Sequence, residues 1–178
     1  MKLLWGKAEI DHASSLFYFN KGNRIQKLMH QLKYKGQEKL GEELGEIMGK
    51  ELLNEETYKN IDGIIPVPLH ASKLRVRGYN QCDPIAKGLA RILKTAIYYD
   101  VVIRSRANVS QTLKNHFERH ENVDELFEVK KPELLNNRKI LLIDDVITTG
   151  STLASCAKSI NQCSNSKLLV STLAIADY

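Results

Sequence analysis

The sequence predicts an α/β fold: a mainly parallel central sheet flanked by helices. From residue 61 onward strand patterns alternate with helical patterns, the order that builds parallel sheets from crossover units. The run Ile140-Leu141-Leu142-Ile143 is continuously apolar, as in a strand buried on both faces. Asp144-Asp145 sit where this strand is expected to run out, and Val146 leads on to the turn Thr148-Thr149-Gly150-Ser151-Thr152. A helical pattern follows at Leu153, Cys156, Ala157 and Ile160. Ligands of such sheets sit beyond the carboxyl ends of strands, so this junction is where chemistry is expected.

Before residue 61, Leu16-Phe17-Tyr18-Phe19 is a short strand candidate, and residues 20–23 form a turn with Asn23 as a helix cap. Ile25, Leu28, Met29 and Leu32 fall on one helix face, and Tyr34-Lys35-Gly36 interrupts it. A second helix runs through Leu40, Leu44, Ile47, Met48 and Leu52. Gly41, Gly45 and Gly49 recur along it every four residues, a smooth side for close packing. Glu42, Glu43, Glu46 and Lys50 exclude the membrane pairing that such a stripe otherwise suggests.

Ile61 to Pro68 is the next strand, and Leu69 to Gly78 a basic loop. Ile85, Leu89, Ile92 and Leu93 mark the helix after it, and Ala96 to Ile103 reads as one strand. Residues 104–126 are the least periodic, holding Arg104, Arg106, Gln111, Lys114, His116, Arg119 and His120. A polar stretch of that length is expected to be functional or disordered. Leu126 to Val129 begins a strand, Pro132 marks a turn, and Ser166 to Ala176 is the closing strand.

At 178 residues the chain has room for one proper core. No apolar run approaches the ~20 residues of a membrane helix, and the first residues lack a signal-peptide core. Cys82, Cys156 and Cys163 are scattered, which suits a reducing compartment; no membrane insertion and a cytoplasmic location are the expectations. The net charge of +5 fits nucleic acid and an anionic small molecule equally well.

The chemistry expected at the junction is anion binding. Gly150 permits a tight turn, and the amides of residues 149–152 converge at a helix N-terminus, where the dipole favours negative charge. Hydroxyls of Thr148, Thr149, Ser151 and Thr152 add donors. Asp144 and Asp145 repel phosphate but accept hydrogen bonds from a sugar diol or hold Mg²⁺ through water. Together these features read as a cradle for ribose 5-phosphate; taken alone, two acids before a turn would be a solvated loop. Lys73, Arg75 and Arg77 alternate, so in extended backbone they would face one side and suit a diphosphate.

The stretch from Ile140 to Thr152 resembles the phosphoribosyl diphosphate (PRPP) motif of type I phosphoribosyltransferases at every position. Pro-Val-Pro-Leu-His at 66–70, Arg-x-Arg-Gly-Tyr-Asn-Gln at 75–81, Gln111-Thr112 with Arg119 and Asn122-Val123, and the pattern over residues 17–35 resemble the ComF family of phosphoribosyltransferase-like proteins. That resemblance implies a type I phosphoribosyltransferase-like fold over residues 59–178, with residues 1–58 an extension packed on the core. It implies PRPP with Mg²⁺, transfer to an unidentified acceptor with loss of diphosphate, and a link to competence and DNA uptake.

Asp144, Asp145, Arg75 and Arg77 are then the expected catalytic residues. Ribose 5-phosphate falls to Asp144, Asp145, Val146, Thr148, Thr149, Gly150, Ser151 and Thr152. Diphosphate falls to Lys73, Arg75, Arg77, Arg104 and Arg106, with residues 104–122 as a lid. Mg²⁺ would be held through water by Asp144 and Asp145. No histidine stands out as a general base among His70, His116 and His120. An alternative is a non-catalytic PRPP- or nucleotide-binding regulator contacting single-stranded DNA or competence proteins; a homodimer fits either. A metal-dependent hydrolase built on the two acids is disfavoured, since no further acids follow at a matching spacing. Family members begin with a Cys-x-x-Cys zinc ribbon that this sequence lacks, so no zinc is expected, and the chain is either a short form or begins after that module.

Overall fold

The structure is a computed structural model that describes residue 4 and residues 6–19, 24–34, 36–104 and 127–176. In chain order the elements are β1 (His12–Phe19), α1 (Arg24–Tyr34), α2 (Glu38–Leu52), β2 (Gly63–Pro66), α3 (Ala71–Arg77) and α4 (Cys82–Leu93). Then come β3 (Ala96–Ile97), β4 (Val102–Arg104), β5 (Phe127–Val129), β6 (Lys139–Ile147), α5 (Ser151–Cys163) and β7 (Lys167–Ala176). Five strands pair in the order β1-β7-β6-β2-β3, all parallel, and β4 with β5 forms a separate antiparallel ribbon. The expected α/β fold, its parallel sheet covered by helices, is what the chain adopts.

Alternation along β6 divides the core. Ile140 and Leu142 pack with Leu153, Cys156, Ala157 and Ile160 of α5. Leu141 and Ile143 pack on the opposite face with α1, α2 and α4, through Leu32, Met48, Ile85 and Leu89. A strand sandwiched in this way must be apolar throughout, which is why Ile140–Ile143 carries no polar residue. Residues 12–52 share this architecture: β1 is the edge strand beside β7, and α2 lies against α4.

The glycine stripe explains that helix contact. A Cβ on Gly45 would stand 2.2 Å from the Ile85 carbonyl oxygen, and one on Gly88 would stand 2.0 Å from that of Glu42. The two backbones therefore touch, and Arg91 spans the crossing to Glu42 and Glu46. Ile47, grouped with the buried side in sequence, is instead 47% exposed.

Three expectations change. Ala96–Ile103 is not one strand: the chain leaves the sheet at Tyr98, whose ring lies over Gly63, and re-pairs as β4 after a turn. The basic segment after β2 is not extended but helical over Ala71–Arg77. His70 Nδ1 caps it by accepting from the Ser72 amide, and Gly78, at φ 81°, ends it. Strand β6 does not stop before the acids; it runs to Ile147, because β7 still pairs there. The Asn23 cap, the strand start at Leu126 and the polar stretch from residue 105 to 126 lie outside the described residues.

What positions the site is the reversal of winding. From β2 the chain crosses through α4 to β3, and from β6 through α5 to β7, on the other side. A crevice opens at such a switch point, beyond the carboxyl ends of β2 and β6. The β2–β6 pairing ends at Pro66 and Ile143, closed by the Val67 amide on the Ile143 carbonyl at 2.9 Å. Asp144 is thus the first residue of β6 without a neighbour on that side.

Candidate active site

A crevice of about 210 Å³ fills this opening. Its walls come from the end of β6 (Asp144, Asp145, Val146), the turn into α5 (Thr148, Thr152), the segment after β2 (Pro68, Leu69), α3 (Lys73, Arg77) and the start of α4 (Asn80, Gln81, Cys82). Lys33 of α1 and Arg104 of β4 complete it. A larger hollow of about 540 Å³ lies between residues 6–9 and α5, lined by Lys7, Glu9, Lys158, Asn161 and Gln162.

Asp144 Oδ1 accepts the Asp145 amide at 2.8 Å and the Cys82 thiol at 3.5 Å. Burial, and then the Asp145 charge, hold the Asp144 carboxyl well above the usual carboxylate range. Asp145 Oδ1 accepts the Val146 amide at 2.7 Å, and its other oxygen meets Lys33 Nζ at 3.0 Å. The Cys82 thiol is pushed up by burial and next by Asp144 and Asp145, so it stays a neutral donor.

Next along the chain, Gly150 has φ 77°, the left-handed conformation that glycine tolerates best. It is the N-cap of α5 and offers no side-chain cap, so the first amides of the helix face the turn without an internal acceptor from that position. The Ser151 amide reaches Thr149 Oγ1 at 3.4 Å, a long contact that a better acceptor would replace. Lys7 Nζ donates to the Thr149 carbonyl at 2.7 Å, bringing a cation to the same turn.

Helix formation separates the three basic residues of α3. Positions i and i+4 share a helix face whereas i+2 lies opposite. Lys73 and Arg77 accordingly line the crevice; Arg75 does not. Arg77 is steadied by donating to Gln81 Oε1 at 2.5 Å, and Gln81, 1% exposed, donates back to the Tyr79 carbonyl at 3.2 Å. Asn80 Nδ2 ties the same turn to the Val67 carbonyl at 3.1 Å, and the Tyr79 hydroxyl bonds the Leu32 carbonyl of α1. The Arg-Gly-Tyr-Asn-Gln segment is therefore a knot joining β2, α3, α4 and α1.

Arg104 also faces the crevice, its guanidinium 5.2 Å from the Phe127 ring centroid. Its Nε is buried with no partner among the described residues. Of the expected site residues, the crevice brings together Asp144, Asp145, Val146, Thr148, Thr152, Lys73, Arg77 and Arg104. Thr149, Gly150 and Ser151 form the adjoining turn, Arg75 lies apart, and Arg106 is outside the described residues. Lys33, Asn80, Gln81 and Cys82 join the site without having been singled out for it. The Lys33 signal was present as a basic residue in a family-like pattern, but nothing local joins it to a strand a hundred residues away. Among the described residues, no three of His, Cys, Asp and Glu converge as a metal site.

The phosphoribosyl transferase domain family matches residues 80–172, just over half of the chain. The DNA utilization protein YhgH of Escherichia coli K12 is 31% identical over 134 residues, covering 74% of this chain and 58% of that protein. Competence protein F of Haemophilus influenzae is 37% identical over 99 residues, 54% of this chain and 43% of that one. The chain thus spans less than two thirds of the length of these relatives. In fold it is similar to the glutamine PRPP amidotransferase of B. subtilis, at TM-score 0.54 and 14% identity over 80% of this chain and 30% of that one. With the motif carried on β6 and α5 at the switch point and these matches across it, the chain belongs to the phosphoribosyl transferase domain family, as a ComF/YhgH-type member.

Proposed function

We propose that the crevice binds PRPP and that the protein transfers its phosphoribosyl group to an acceptor, releasing diphosphate. The observation that carries this reading is the meeting, in one crevice, of a carboxylate pair, an uncapped helix start and the two inward cations of α3. The 5-phosphate lies against the amides and hydroxyls of Thr149, Gly150, Ser151 and Thr152, where the α5 dipole favours it. Asp144 and Asp145 accept the ribose hydroxyls and stabilise positive charge growing at C1 as the leaving group departs. Lys73 and Arg77, with Arg104, receive the charge accumulating on diphosphate.

Two hard-oxygen carboxylates at the mouth fit Mg²⁺, which commonly takes one or two carboxylates together with substrate phosphates. Asp144 and Asp145 would hold it, through water, and it would supply charge neutralisation of the diphosphate. Asp145 is already engaged by Lys33, so the acids form a shared edge rather than a complete cage.

Calorimetric titration with PRPP tests the binding, and a diphosphate-release assay across candidate nucleophiles tests transfer. Binding at micromolar or better affinity supports the reading, while ribose 5-phosphate and PRPP both failing to bind contradicts it. The names of the relatives, DNA utilization and competence, support a second reading: a PRPP-binding regulator that contacts single-stranded DNA. Binding of PRPP without turnover, together with salt-sensitive DNA affinity, would select that one.

A further inference from the structure

Lys33 lies outside the matched segment 80–172, yet its Nζ stands 3.0 Å from Asp145 Oδ2, with side chains only 24% and 13% exposed. Since Asp145 Oδ1 also accepts the Val146 amide, the carboxylate is fixed at both oxygens. The Tyr79 hydroxyl, bonded to the Leu32 carbonyl, anchors the residue before Lys33 to the α3–α4 knot. This ammonium is thus placed by tertiary contacts, on a short leash. Sharing the crevice with this carboxylate are Asp144 on β6, the Cys82 thiol on α4, Lys73 and Arg77 on α3, and Arg104 on β4.

Two adjacent carboxylates at the mouth of an anion site oppose the ligand that the site is built for. Lys73 and Arg77 line the crevice from α3 and Arg104 lies over the Phe127 ring, whereas Lys33 pairs directly with Asp145. We propose that Lys33 is the resident counter-charge of this pair, a positioning residue that fixes Asp145 and cancels its field so that a sugar carrying phosphates enters. The inference rests on the PRPP reading of the crevice and adds to the site a residue from α1.

Without the ammonium, Asp145 stands unpaired beside Asp144, and the pair repels an incoming phosphate. PRPP dissociation constants for the wild type, Lys33→Met, Lys33→Arg, Asp145→Asn and the Lys33→Met/Asp145→Asn double variant read this directly. Lys33→Met is expected to weaken PRPP by roughly tenfold or more, with Lys33→Arg near wild type. In the Asp145→Asn background the same substitution should cost no more than about threefold, because the charge it would leave uncompensated is gone. An unchanged Lys33→Met affinity, or an equal loss in both backgrounds, overturns the role of Lys33 while leaving PRPP binding intact. A wild type that binds no PRPP overturns the reading on which it rests.

Discussion

Asp144 is a crevice residue whose chemistry departs far from that of its free side chain. It is an acid held above its usual range by burial and by Asp145, so the folded state binds its proton more tightly than the unfolded chain does. The resulting penalty is absent below the unfolded value of about 3.9, grows as pH rises through the folded value, and is complete above it. Asp144→Asn keeps the acceptor for the Asp145 amide and removes the titration. Thermal melts should show the variant more stable than wild type near pH 8, by on the order of 1 kcal/mol or more, with the gain vanishing near pH 4. A gain independent of pH would mean that burial is not the cause. Asp145→Asn and Thr149→Ala should each weaken PRPP by roughly 1–3 kcal/mol, read by calorimetry, without lowering the melting temperature comparably. At this scale the contiguous motif from Asp144 to Thr152 was legible because its residues are neighbours in sequence. Lys33 and Gln81 were not, because they reach the crevice through packing of α1 and the turn before α4.

At the scale of elements, α3 matters most for how the site is read. Alternating Lys73, Arg75 and Arg77 describe one face of a strand but two faces of a helix, and the short span gave no periodicity to choose between them. The His70 cap and Gly78 decide for the helix. Arg77→Ala should therefore weaken diphosphate-bearing ligands by about 1.5–3 kcal/mol, and Arg75→Ala should leave them near wild type, both by calorimetry. Equal losses would restore the extended arrangement. The glycine stripe of α2, by contrast, announced its purpose through spacing alone. Gly45→Ala would improve helix propensity by ~1 kcal/mol, yet its Cβ meets backbone of α4 that has nowhere to move. A net destabilisation of roughly 1–3 kcal/mol is expected in denaturant melts.

For the whole molecule, the parallel sheet and its reversal between β2 and β6 turn scattered residues into a site. Residues from α1, α3, α4, β4 and β6 meet there because the two crossovers diverge and leave their strand ends uncovered. The alternation of strands and helices made this architecture readable in advance, while the order of strands and the place of β1 beside β7 depend on long-range pairing that local patterns do not encode. A ligand bridging so many elements stabilises them together: PRPP at a hundred times its dissociation constant should add about 2.7 kcal/mol to unfolding free energy. The central claim is most directly tested by a crystal structure of the protein soaked with PRPP and Mg²⁺. The account predicts the 5-phosphate against the amides at Gly150 to Thr152 and the ribose diol against Asp144 and Asp145. PRPP bound elsewhere, with that crevice filled by solvent alone, would contradict it.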